Sequence, residues 1–128
     1  MPHCILEASG NLLDQPDWAG LLRAVNRTLA DTGLFAAADI KSRFLRHEVF
    51  VVGDETPGDA EQGPERAFVT LNVQILSGRS DEVKAQLSEA LLPVLAAALP
   101  RSLAGQKLSL TVQISDLHRP SYRRQTSG

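Results

Sequence analysis

The chain has one cysteine, Cys4, in 128 residues, so no internal disulfide can hold it together. It needs none, because a chain of this length can bury a sizeable core by itself. It also lacks a basic excess: 13 lysines and arginines face 15 acidic residues, for a formal charge of -2. With no long basic stripe either, the electrostatic footprint of a nucleic-acid binder is missing. No apolar run approaches the roughly 18 residues of a membrane helix, and no charged segment followed by an apolar one marks an export signal. A cytoplasmic protein without nucleic-acid or membrane partners is therefore expected. His3, His47 and His118 are far apart and Cys4 has no second thiol beside it, so no metal-ligand spacing is present.

What the chain does have is a repeated order of elements. Pro2 to Ala8 reads as a short strand, and Ser9-Gly10-Asn11 as a turn. Leu21, Leu22, Val25 and Leu29 recur at helical spacing after Pro16, with Gly33 placed to end the helix. Ile40 to Val52 reads as a long strand. Residues 53–66 are acidic and rich in glycine and proline, and are expected to form a surface loop.

The second half is more regular. Val69, Leu71, Val73 and Ile75 alternate with Thr70, Asn72 and Gln74, the pattern of a strand with one buried face. Ser80 is positioned to cap a helix that opens with Asp81 and Glu82. Val83, Leu87, Leu91, Leu95 and Leu99 form the apolar stripe of that helix, and Pro93, within it, is expected to bend the helix or locally break its hydrogen bonding. Leu108, Leu110, Val112 and Ile114 then alternate with Ser109, Thr111, Gln113 and Ser115.

The fold class expected is α+β. Two β-α-β units, about residues 2–52 and 67–117, form one domain with a four-stranded sheet and both helices on one face. The open face of so small a sheet suggests that subunits associate.

Pro2 stands where removal of the initiator methionine would leave a free secondary amine. An α-amino group titrates near about 7.7–8.0, and burial or nearby cations lower that value, so such an amine can act as a base. Read by position alone, Pro2 is more simply a residue that happens to follow the start, since a lone terminal proline is a weak motif. Lys41 and Arg43 lie two apart on a strand and share a face, either as a solvated surface or as an anion site. Arg79 sits at a turn into a helix, where it serves either local packing or anion binding. His3 and Glu7 share a face of the first strand near Pro2, as hydrogen-bonded structure or as groups that tune the amine. Cys4, on the other face, reads as a small core residue. His118, Arg119, Arg123 and Arg124 make a basic tail expected to be solvated and partly disordered.

The opening PHCILEASGNL resembles the start of the 5-carboxymethyl-2-hydroxymuconate isomerases, and VTLNVQILSGRSDEVKAQL resembles the opening of the 4-oxalocrotonate tautomerases. Both families belong to the tautomerase superfamily. The isomerase resemblance continues through Ala24-Val25-Asn26, Thr28-Leu29, Thr32-Gly33, Ile40-Lys41-Ser42-Arg43 and Gly78-Arg79-Ser80, and fades in the 53–65 loop and after His118. Laid over each other, the halves share one ancestral pattern. The first keeps the proline, with Leu12 where an arginine would stand. The second keeps Arg79, with Val69 where the proline would stand.

This resemblance implies the tautomerase fold and a homotrimer. It implies a cofactor-free isomerase of aromatic catabolism, in the homoprotocatechuate pathway, with Pro2 as proton carrier. It also implies a small polycarboxylate substrate of the 2-hydroxymuconate type, with Lys41, Arg43, Arg79 and His3 as the substrate-binding candidates. The isomerase pattern has arginine where this chain has Lys41, so either recognition shifts toward Arg43 or a smaller acid is handled. Two alternatives stay open: a proline-dependent dehalogenase or decarboxylase, and a non-catalytic anion-binding or assembly module.

Overall fold

A computed structural model of the chain describes residues 1–54 and 65–128; most of the expected 53–66 loop lies outside the described residues. The first half supplies β1 (His3–Ser9), α1 (Trp18–Asp31) and β2 (Lys41–His47). The second supplies β3 (Arg66–Leu76), α2 (Asp81–Ala97), α3 (Pro100–Gly105) and β4 (Lys107–Leu117). The strands lie in the order β2-β1-β3-β4. β1 runs parallel to β2, β3 runs parallel to β4, and the halves meet through the antiparallel pair β1–β3. The expected α+β architecture of two β-α-β units on one four-stranded sheet is what forms.

The period-2 pattern decides which face is covered. Cys4, Leu6 and Ala8 of β1 and Val69, Leu71, Val73 and Ile75 of β3 are buried, together with Leu21, Val25 and Leu29 of α1 and Leu87, Leu91 and Leu95 of α2. Leu108, Leu110, Val112 and Ile114 of β4 pack against the same cluster, and Trp18 stacks on Phe44 of β2 with ring centroids 4.0 Å apart. The opposite face stays open and mostly polar. Its rows run Lys41-His3-Gln74-Ser115 and Arg43-Ile5-Asn72-Gln113 across the four strands.

Both long helices begin where side chains can cap them. Asp17 Oδ1 accepts from Gly20 N at 3.1 Å, so the cap follows Pro16 and the proline stands outside the first helical turn that it would suit. Ser80 Oγ accepts from Val83 N at 3.2 Å. Gly33, at φ +78°, takes the left-handed turn that ends α1.

Four expectations are corrected. β2 stops at His47 instead of continuing to Val52, because β1, which among the described residues is its one ladder partner, ends at Ser9 opposite it. Gly10 then turns away while its N–H holds the His47 carbonyl at 2.8 Å. Pro93 lies on the exposed side of α2 and not in its buried stripe, and the helix runs through it. It offers no N–H to the Glu89 carbonyl, but both residues face solvent, where water can satisfy that oxygen. The Leu99 end of the stripe is not part of α2: Pro100 opens the short α3, its missing N–H harmless at a first helical position. Finally, the basic tail is exposed as expected but is not a loose extension. Arg119–Ser121 form one 3-10 turn, and Arg119 donates to Ser77 through its backbone N–H (to Oγ, 3.2 Å) and through Nε (to the carbonyl, 2.9 Å).

A buried polar clasp joins the loop after β1 to the second half. Asp14 accepts from Arg101 N at 3.2 Å and Ser102 N at 2.6 Å, so its carboxylate caps α3. Its own N–H donates to Ser102 Oγ at 3.2 Å. Gln106 accepts from Leu13 N and donates to the Asn11 carbonyl.

Candidate active site

The strand directions bring several chain segments to one end of the sheet. β1 and β2 begin there, and β3 and β4 finish there. Pro2 is fully buried immediately before β1. Its carbonyl accepts from Lys41 N at 3.1 Å, extending the β1–β2 ladder by one bond and fixing the first residue of the strand.

Around it the charges are mixed but mostly positive. In the full chain the Met1 ammonium donates to the Asp39 carbonyl at 3.1 Å. Lys41 Nζ donates to the same oxygen at 2.9 Å. Arg124, from the C-terminal tail, donates to Asp39 Oδ1 at 2.9 Å. These neighbours leave their mark on the amino terminus. Burial first, then Lys41 and Arg124, push its pKa below the ordinary value, and Asp39 opposes them. Arg124 holds the Asp39 carboxyl below the usual carboxylate range.

His3 and Arg43 lie next along the open face. Arg43 Nη1 is 3.5 Å from His3 Nδ1, a long contact in which the ring nitrogen can only accept. Burial lowers the His3 pKa, and Arg43, the amino terminus and Lys41 lower it further, all four favouring the neutral ring. Further along the same face Glu7 bonds His47 at 3.0 Å, away from Pro2.

Of the candidates named from sequence, Pro2, His3, Lys41 and Arg43 thus come together. Arg79 reaches the same end of the sheet but its head is engaged elsewhere: Nη2 donates to the Leu34 carbonyl at 3.3 Å, and the guanidinium lies 5.3 Å from the Phe35 ring centre. Cys4 is a buried free thiol whose pKa is raised by burial, unsuited to act as a thiolate. The residues missed are Asp39 and Arg124. Their contact spans 85 positions, and no local pattern in either segment announces it.

Among the described residues no group of three or more His, Cys, Asp or Glu side chains is placed to hold a metal ion, and no helix is long and apolar enough to cross a membrane. A shallow crevice lined by Leu12, Trp18, Phe44 and Arg46 lies at the other end of β1 and brings no such cluster of charges together.

Comparison with known proteins establishes the family and the fold. The family model for 5-carboxymethyl-2-hydroxymuconate isomerase matches residues 2–127. The 5-carboxymethyl-2-hydroxymuconate Delta-isomerase of Escherichia coli is 35% identical over 118 residues, covering 92% of this chain and 88% of that protein. The crystal structure of a 5-carboxymethyl-2-hydroxymuconate isomerase from Deinococcus radiodurans R1 superposes with a TM-score of 0.84 at 30% identity, covering 98% of this chain and 90% of that one. A fused 4-OT, described as a symmetric trimer, shares the fold at 18% identity and a TM-score of 0.62, over 91% of this chain and 85% of its own. The chain belongs to the 5-carboxymethyl-2-hydroxymuconate isomerase family and has its tautomerase fold.

Proposed function

We propose that the chain isomerises 5-carboxymethyl-2-hydroxymuconate, or a closely related polycarboxylate dienol, with Pro2 as the proton carrier once Met1 has been removed. The observation that carries this reading is the placement of Pro2: buried, tied to β2 through its own carbonyl, and beside Lys41, Asp39 and Arg124. Lys41 and Arg124, which lower the pKa of the Met1 amine, stand one residue from the Pro2 nitrogen and act on it in the same direction. They favour its neutral form at neutral pH.

The neutral amine takes the proton of the 2-hydroxyl group, and the electron pair left on oxygen re-forms as a ketone while the double bonds shift along the chain. The ammonium then returns a proton to a carbon of the conjugated system. Lys41 and Arg43 hold carboxylates and offset the negative charge of the dienolate, in an environment where such charges count more than in water. His3, kept neutral, adds a hydrogen bond without a further charge.

The subunits assemble as a trimer in this reading. The open polar face, with Thr111 and Gln113 exposed on β4, provides the surface, and the fused 4-OT of the same fold is described as a trimer. The reduced thiol of Cys4 suits a cytoplasmic setting.

The test is turnover of the dienol by Pro2→Ala protein whose Met1 has been removed, as verified by intact mass. Loss of a positioned base lowers the rate by about 100-fold or more. An undiminished rate rejects Pro2 as the base, as does full activity in chains that retain Met1, where Pro2 N is an amide.

A further inference from the structure

The C-terminal tail leaves β4 at one edge of the sheet, yet its Arg124 is found against Asp39, which precedes β2 at the other edge. The intervening strands β3 and β1 must be crossed. Three strand spacings are about 14 Å, and the seven residues from Leu117 to Arg124 reach about 23 Å when extended. The path therefore runs over the end of the sheet at which Pro2 lies.

The tail is fastened on the way. Ser77 N donates to the Leu117 carbonyl at 2.9 Å, Arg119 takes the two bonds to Ser77 already described, and His118 Nδ1 lies 2.8 Å from Ser121 Oγ. Arg123 is turned back on its own backbone, donating to the carbonyls of Pro120 and Tyr122. Arg124 is the cation that reaches the site.

Its partner leaves it capacity to spare. Among the described residues Arg124 makes one hydrogen bond, Nη2 to Asp39 Oδ1, while a guanidinium carries five N–H donors in a planar fork. Both side chains are partly open to solvent, at 40% and 36% exposure. An exposed pair of this kind adds little to stability. What it does is fix where the guanidinium sits, beside the amino terminus whose pKa it helps to lower.

Charge matching completes the case. The substrate of the proposed function carries three carboxylates. Lys41 and Arg43 supply two cations on one strand face, while the Arg79 head is turned to Leu34 and Phe35. Arg124 adds a third cation beside Pro2, whereas Arg119 at the same end is bonded to Ser77.

We infer that Arg124 binds one carboxylate of the substrate, delivered to the site by the C-terminal strap, and that Asp39 is a positioning residue that holds its guanidinium. This deepens the proposed function and rests on it.

The experiment uses full-length, Met1-free protein and measures kcat and KM for R124Q, R124K, D39N and the R124Q/D39N double variant. The substrates are the tricarboxylate and dienols each lacking one of its carboxylates. For the tricarboxylate, R124Q raises KM at least tenfold with kcat within threefold, and R124K, keeping charge without the fork, restores part of the loss. For one of the truncated dienols the R124Q penalty disappears. D39N gives a smaller rise in KM and adds nothing to R124Q.

A KM within twofold of the parent in R124Q, a loss confined to kcat, or an equal penalty on every dienol overturns the assignment. If Pro2→Ala is inactive while R124Q behaves as the parent, this inference fails alone. If Pro2→Ala is fully active, the proposed function fails and takes this inference with it.

Discussion

The clasp made by Asp14 gives the sharpest physical prediction. Replacing it by asparagine keeps the shape of the side chain but removes its charge. The carboxylate accepts from two backbone N–H groups at the start of α3, Arg101 N at 3.2 Å and Ser102 N at 2.6 Å. An amide offers one acceptor oxygen to those two donors and turns its own N–H groups toward the other. One charge-assisted bond is lost and one largely buried donor is left unmatched, a cost of about 2 kcal/mol. With an unfolding entropy typical for this length, that lowers Tm by about 7 °C.

The pH dependence has a definite sign. Burial pushes the Asp14 carboxyl up, but its hydrogen bonds with Ser102 and Arg101 and the charge of Arg101 outweigh burial and leave its pKa below the ordinary value. The unfolded chain therefore takes up the proton first, and the stabilisation, complete above about pH 5, is lost as pH falls through about 4 toward the folded value. Thermal or urea unfolding of wild type and Asp14→Asn, at matched protein concentration because subunit association shifts apparent stability, measures the gap. It is expected to be wide at pH 7 and to narrow by pH 3. A gap below about 0.5 kcal/mol at pH 7 refutes the reasoning, being no more than an ordinary surface substitution gives, and so does a gap that does not change with pH.

Two further outcomes follow from the same structure. The lowered pKa of His3, caused by burial and then by Arg43, the amino terminus and Lys41, keeps the ring neutral at pH 7. An NMR titration places its midpoint below 6.5, and Arg43→Gln moves it upward; a midpoint that stays put shows that the guanidinium does not act on the ring. Pro93→Ala restores the hydrogen bond to the Glu89 carbonyl within α2 at an exposed position. It stabilises the protein by about 1 kcal/mol once the added freedom of the unfolded chain is subtracted. Destabilisation measured by urea unfolding would show that the helix depends on its proline.

Much of the fold was legible because it is written in local periodicity. Val69, Leu71, Val73 and Ile75 alternate with polar residues and are buried on one face of β3, as expected. Leu87, Leu91 and Leu95 line the buried side of α2, and Ser80 caps it. The misreadings concern where a pattern stops. Phe50, Val51 and Val52 look like strand residues, but a strand ends where its neighbour does, and β1 turns away after Ser9. Asp14, Ser102 and Gln106 carried no signal, since a buried polar residue is indistinguishable from a surface one until its partners are known.

The sequence by itself determined the order of elements, the face each strand buries and Pro2 as the residue to examine, because these depend on side chains a few positions apart. Only the tertiary structure decided which charges surround Pro2. Lys41 and Arg43 share a face of one strand, as their spacing implies, whereas Asp39 and Arg124 meet across 85 positions, and Arg79 turns its head to Leu34. Electrostatic interactions depend on distance in space and not along the chain. A basic tail that stays exposed to solvent can therefore still set a charge, Arg124, against Asp39 at the far edge of the order β2-β1-β3-β4.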